Sequence, residues 1–134
     1  MQIQPYLFFG GRADEAIAFY EEKLGARLVT RLRFKDNPDA AAPAPETIAD
    51  KIMHAQIEIG GNVVLLSDGH GAEGPNFQGF ALTIAASGAE EVDRLFAALT
   101  DGGAVVQAPQ KTFFSPRFAM AKDRFGVLWI VLAQ

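Results

Sequence analysis

The chain has 134 residues, 49% of them hydrophobic and 21% charged, with a net charge of −4 and no cysteine. That length and balance suit an ordinary globular chain able to bury a core, and they exclude disulfides, thiolate metal sites and a cysteine nucleophile. The 12 Lys and Arg form no dense run, and no apolar stretch approaches the roughly 18 to 20 residues of a membrane span, so neither nucleic acid nor a bilayer is an expected partner.

In chain order, "IQPYLFF" (Ile3 to Phe9) predicts a strand by its apolar and aromatic content. "ADEAIAFYEEKLG" predicts a helix: Asp14 and Glu15 sit in its first turn, Ile17, Tyr20 and Leu24 share a face, and Gly25 ends it. "ARLVTRLRF" predicts a strand. "KDNPDAAAPAPETIAD" has no core-forming pattern and predicts a loop or flap. "KIMHAQIEI" and "NVVLLSD" flank Gly60-Gly61, a strong hairpin signal because both glycines tolerate positive φ. The second half repeats this order. "FQGFALTIAA" predicts a strand, and Ser87 to Leu99 a helix with a capping box of Ser87 and Glu90. "AVVQAPQKT" predicts an edge strand interrupted by Pro109, and "PRFAMAK" and "VLWIVLA" a hairpin across Asp123 to Gly126. The expected class is α+β, with two βαβββ modules at about 1–70 and 76–134 in a single domain, 1–134.

This paired βαβββ chain resembles the vicinal oxygen chelate superfamily, which includes glyoxalase I, extradiol dioxygenases and the bleomycin and fosfomycin resistance proteins. The resemblance rests on "PYLFFGGRADEAIAFYEEKLGA", "DKIMHAQIEIGGNVVLLSDG", "EEVDRLFAALTDGGAV" and "RFAMAKDRFGVLWIV", and "KIMHA" followed by "IGG" and "SD" points to its PhnB-like branch. It implies the glyoxalase/bleomycin resistance fold, in which each module curls a four-stranded sheet, packed on a helix, around a shared cavity. Metallated members carry a ligand on the first and last strand of each module. Matching the motifs puts those positions at Pro5, Leu65, Gly79 and Ile130, none of which offers a donor atom. Metal binding needs several converging His or carboxylate donors, so no metal and no other cofactor is expected.

Strand parity assigns side chains to faces. The Gly60-Gly61 turn sets Ile59 opposite Asn62, Gln56 opposite Leu65 and His54 opposite Ser67. Met53, Ala55, Ile57, Ile59, Val64 and Leu66 then face a helix, while His54, Gln56, Glu58, Val63, Leu65 and Ser67 face the cavity. For the last hairpin, setting Lys122 opposite Val127 places Phe118, Met120, Trp129 and Val131 toward the helix. The same setting turns Arg117, Ala119, Ala121, Leu128 and Ile130 toward the cavity. Leu7 and Phe9 follow Pro5 inward, and Ala81 and Thr83 follow Gly79.

The candidate ligand-binding set is therefore His54, Gln56, Ser67, Phe9, Thr83 and Arg117 in an otherwise apolar pocket. Each has a plainer alternative: His54 and Ser67 bond each other across the hairpin, and Arg117 is a solvated strand-end residue. Arg31 and Arg33 are expected on an exposed face or in dimer contacts, and His70 in a linker without a role. No "GxSxG" elbow supports a Ser-His-Asp triad. The expected function is metal-independent binding of a small organic molecule. The alternatives are a glyoxalase-like lyase, isomerase or other small-molecule enzyme using His54 as acid or base, and a dimeric scaffold with a vestigial cavity. Whether the chain is an enzyme stays open. A homodimer in the cytoplasm is expected.

Overall fold

The computed structural model describes residues 1–39, 43–69 and 74–134, which form two compact units, Met1–Asn76 and Phe77–Gln134. The first unit runs β1 (Tyr6–Phe8), α1 (Ala13–Leu24), β2 (Arg27–Arg33), β3 (Ile52–Ile59) and β4 (Asn62–Ser67). Its sheet has the order β1-β4-β3-β2, with β1 parallel to β4 and the other pairs antiparallel. The second unit repeats this with β5 (Leu82–Ala86), α2 (Ala89–Thr100), β6 (Ala104–Gln110), β7 (Phe118–Lys122) and β8 (Leu128–Ala133), in the order β5-β8-β7-β6. This is the expected α+β fold of two βαβββ modules. His70 with its linker (residues 70–73) and part of the expected loop at 35–50 (residues 40–42) lie outside the described residues.

The helix α1 forms where the sequence predicts it. Gly25 adopts the left-handed conformation at φ 66°, and the Ala26 N–H returns to the Tyr20 carbonyl at 3.0 Å, closing the C-terminus. At the other end Arg12 makes no side-chain cap. The buried Asp68 carboxylate, just beyond β4, supplies one: its Oδ1 accepts the Gly11 and Ala13 N–H at 2.8 and 2.9 Å, and its Oδ2 accepts the Ile52 N–H at 2.8 Å. One side chain thus ties α1 to two strands. The helix lies against β3 and buries Ala16, Ile17 and Tyr20 with Leu7, Phe9, Ala55, Ile57 and Leu66 of the sheet.

The Gly60-Gly61 turn, at φ 56° and 79°, fixes the β3–β4 register as expected, with Ile59 opposite Asn62 and Gln56 opposite Leu65. Parity fails at one end of β3. The β2–β3 register shifts between Leu32 and Arg33, so Ile52 takes the fully buried place and Met53, expected on the helix side, is only half-buried.

In the second unit, α2 starts later than expected. Gly88 is its N-cap residue and makes no side-chain cap. In place of a Ser87–Glu90 box, the Ser87 backbone N–H donates to Glu91 Oε1 at 3.2 Å. The last hairpin is also displaced: Lys122 pairs with Leu128, not Val127. Asp123 is the cause. Its N–H donates to the Val127 carbonyl, and its buried carboxylate accepts the N–H groups of Phe125 and Val127 and the Trp129 indole N–H. Val127 therefore belongs to the turn. The shift by one residue exchanges the faces of β7. Ala119 and Ala121, expected in the cavity, are fully buried and pair with Val131 and Trp129 on the helix side, whereas Phe118 and Met120 lie on the open side with Leu132 and Ile130.

Candidate functional site

The open face of the first sheet is built by the side chains that α1 does not cover. On β3 these are His54 and Gln56, both half-buried; on β4, Val63 and Leu65; on β2, Thr30 and Leu32, which register with Gln56 and His54. The parallel pairing of β1 with β4 sets Tyr6 beside Leu65 and Phe8 beside Ser67. Tyr6 and Phe8 therefore join this face, 39% and 56% exposed, while Leu7 and Phe9 turn into the core.

A hydrogen bond organises the polar part of the face. The Tyr6 hydroxyl lies 2.9 Å from His54 Nδ1. The Tyr6 ring centroid is 5.0 Å from that of Phe8 and 5.6 Å from that of His54, so three rings stand in a row across β1, β4 and β3. At the far end of the face, Arg27 and Glu58 form an ion pair at 2.8 Å. An imidazole held by a phenol, beside exposed aromatic faces and the Gln56 amide, can bind a polar atom and stack a planar group at once.

The six sequence-derived candidates fall on different faces and elements. His54 and Gln56 lie together on this face. Ser67 is buried and does not bond His54: its Oγ donates to the Ile52 carbonyl at 3.3 Å and accepts the Gly69 N–H at 2.9 Å. The β3–β4 pairing ends at Ala55 and Leu66, and His54 pairs with Leu32 of β2 instead. Phe9 is on the opposite side from the one expected, fully buried and edge-on to Tyr20 of α1. Thr83 belongs to the second unit, exposed and in register with Ile130. Arg117, also of that unit, reaches the helix side, where its Nε donates to Asp93 of α2 at 2.9 Å. Arg31 and Arg33 both bond Asp14 at the start of α1, and the Arg33 hydrogen bond holds the Asp14 carboxyl below its ordinary pKa.

Tyr6 and Phe8 are the residues that sequence parity missed. A signal was present in "PYLFF": the tyrosine hydroxyl needs water or a partner, so Tyr6 belongs on a half-open face, and Leu7 with Phe9 on the dry one.

The metal positions of the resembling superfamily do not fit an ion here. Pro5, Leu65, Gly79 and Ile130 carry no donor side chains, and among the described residues no three His, Asp or Glu side chains are grouped to hold one.

Comparisons with known proteins agree on kinship. Residues 2–131 match the profile of the Glyoxalase/Bleomycin resistance protein/Dioxygenase superfamily. Protein YjdN of Escherichia coli (strain K12) is 32% identical, over 98% of this chain and 94% of its own. Among solved structures, protein PA1353 from Pseudomonas aeruginosa is 37% identical with a TM-score of 0.86, covering 100% of this chain and 98% of the other. A PhnB protein from Bacillus cereus, which carries the name 3-demethylubiquinone-9 3-methyltransferase, is 25% identical with a TM-score of 0.78 and covers both chains fully, at 100% each.

Proposed function

The chain belongs to the glyoxalase/bleomycin resistance protein/dioxygenase superfamily, and from that premise we propose that it binds a small organic molecule, without a metal ion, over the open face of its first sheet. The observation that carries this reading is the composition of that face, where the Tyr6–His54 hydrogen bond and the Gln56 amide stand among exposed apolar and aromatic side chains. Ligand sites combine an apolar majority with a few placed polar groups in this way. His54, Gln56, Tyr6 and Phe8 are the contact residues of this proposal. Thr83 lies on the open side of the second sheet, and Arg117 is not a contact residue of this proposal because its Nε is drawn to Asp93 on the helix side. The methyltransferase name of the Bacillus cereus relative finds no support in this sequence, since the β1–α1 turn carries Gly10-Gly11 but not the G-x-G-x-x-G pattern of a cofactor-binding strand-to-helix turn.

The protein is proposed to act as a homodimer in the cytoplasm. Native mass spectrometry of protein purified from its own host reads assembly size and any retained molecule together. Elemental analysis without chelators is expected to find no stoichiometric Zn, Ni, Fe or Mn. One equivalent of metal, lost on substituting residues near Pro5, Leu65, Gly79 or Ile130, would overturn the metal-independent reading. His54→Ala is expected to weaken ligand retention with a stability loss of only ~1 kcal/mol, the ordinary value of one part-exposed hydrogen bond. A lowered melting temperature with retention unchanged would make His54 purely structural.

The 2.9 Å contact also favours a second reading, an enzyme in which His54 exchanges a proton with the bound molecule and Tyr6 steadies the ring. Turnover of candidate carbonyl substrates that disappears in His54→Ala, with the fold intact, is its test.

A further inference from the structure

We infer that Tyr6 is a positioning residue that locks the tautomer of His54, so that the imidazole presents Nε2–H as a donor and the face selects planar molecules bearing a carbonyl or carboxylate oxygen. The inference rests on the proposed binding role of this face and adds its chemistry.

A neutral imidazole has one N–H and one lone-pair nitrogen, and the partner of one decides the state of the other. Here Nδ1 is engaged by the Tyr6 hydroxyl at 2.9 Å, and among the described residues none bonds Nε2. A phenol is the better donor of the two groups and an imidazole lone pair the better acceptor, so the bond runs from Tyr6 O–H to Nδ1. The ring proton must then sit on Nε2. That leaves a donor, where an unpartnered ring would alternate between donor and acceptor. Such a donor pairs with an acceptor oxygen, and the imidazole then offers no lone pair to an ammonium or amide N–H.

The neighbouring rings set the shape of the ligand. Tyr6 lies between Phe8 and His54 with interplanar angles of 30° and 37°, closer to stacked than to edge-on. Tilted rings in a row offer their faces to a flat conjugated group more readily than to a branched aliphatic one. Gln56, which registers between Thr30 and Leu65, adds an amide that can donate to the same oxygen. A planar acid or ketone meets both features. A saturated amine meets neither.

The test uses the full chain labelled with ¹⁵N-histidine and a His70→Gln background, since the protein has two histidines. Long-range ¹H–¹⁵N correlation at a pH where imidazole is neutral is expected to show a pure Nε2–H tautomer for His54. The Nδ1 signal should be displaced by the accepted hydrogen bond. Tyr6→Phe should remove that displacement and produce a tautomer mixture, with the melting temperature recorded on the same sample. An Nδ1–H tautomer in the parent, or a spectrum unchanged by Tyr6→Phe, would overturn the positioning role even if a ligand is later found on this face.

Benzoate and benzylamine are the probes for the ligand class. Benzoate is expected to shift the Nε2 signal and to bind about three- to tenfold more weakly to Tyr6→Phe, whereas benzylamine, which keeps the ring but has no acceptor oxygen, should bind at least about tenfold more weakly than benzoate to the parent. Equal binding of the two, or no response to benzoate up to its solubility limit, would overturn the ligand class while leaving the tautomer result intact.

Discussion

Asp68 is 3% exposed, yet it accepts three backbone N–H groups from two segments distant in sequence. Replacing it by alanine strands three donors at once. The expected cost is at least about 3 kcal/mol, because a buried unsatisfied donor loses its whole solvation. Urea unfolding of Asp68→Ala checks this, and a loss below about 1 kcal/mol would mean that water satisfies those amides. Asp14 shows the opposite, exposed case. The Arg33 hydrogen bond, then the Arg33 and Arg31 charges, hold its carboxyl low in the fold. A depressed folded value contributes stability above the unfolded pKa of about 4, and that stability fades as the pH falls through the folded value. The Asp14 side chain is 46% exposed, so solvent screening keeps the gain to a few tenths of a kcal/mol. Asp14→Asn should lower stability by those few tenths of a kcal/mol at neutral pH and leave it unchanged at pH values below the folded pKa, so the acid limb below about pH 4 is flatter in the mutant. A steeper acid limb in the mutant would contradict the assignment. At this scale His54 and Gln56 were legible, because parity on a well-set hairpin needs no tertiary information. Tyr6 was not, because β1 is short and its parity depends on how it docks beside β4.

At the scale of elements, the two hairpins show what decides register. Gly60-Gly61 spans its turn with two residues of positive φ, so the pairing could be counted outward from it. The Asp123 turn offered no such count. Its register depends on a buried carboxylate whose hydrogen bonds draw Val127 into the turn, and through Trp129 it is anchored six residues further along. The consequence reaches the helix: α2 packs against β7, and Ala119 and Ala121 are fully buried there, with Trp129 and Leu95 also buried. The return from α2 into β6 is equally tight. A Cβ on Gly103 would lie 2.1 Å from the Lys122 carbonyl oxygen, a backbone atom of β7 that cannot swing aside. Gly103→Ala is therefore expected to cost more than about 2 kcal/mol through strain on the β6–β7 pairing. The same change at Gly61, where nothing lies within 4 Å of a Cβ, should cost less despite its φ of 79°. Denaturant midpoints of the two variants compare them directly, and an equal loss would remove the steric argument.

At the scale of the whole molecule, both sheets end in edge strands, β1 and β2 in one and β5 and β6 in the other. Apolar side chains remain exposed on or near them: Val105 and Val106 on β6, Val29 on β2, and Phe113 beyond β6. Open edges and apolar patches of this kind are normally covered by a partner. Light scattering is expected to give twice the chain mass at micromolar concentration, and a monomer there would remove the homodimer proposal. Among the described residues no helix is long and apolar enough to cross a membrane. The sequence by itself determined the element order, the repeat, the Gly60-Gly61 register and the absence of donors at Pro5, Leu65, Gly79 and Ile130. Each of those depends on local chemistry: periodicity, backbone freedom at glycine, or the atoms a side chain carries. Tertiary structure alone decided that Tyr6 meets His54, that Ser67 does not, that Phe9 enters the core and that Arg117 turns to Asp93. Those outcomes depend on which strands lie side by side and by how many residues they are shifted. A displacement of one residue reverses every face, and buried groups such as the Asp123 carboxylate fix it only once the chain has closed around them.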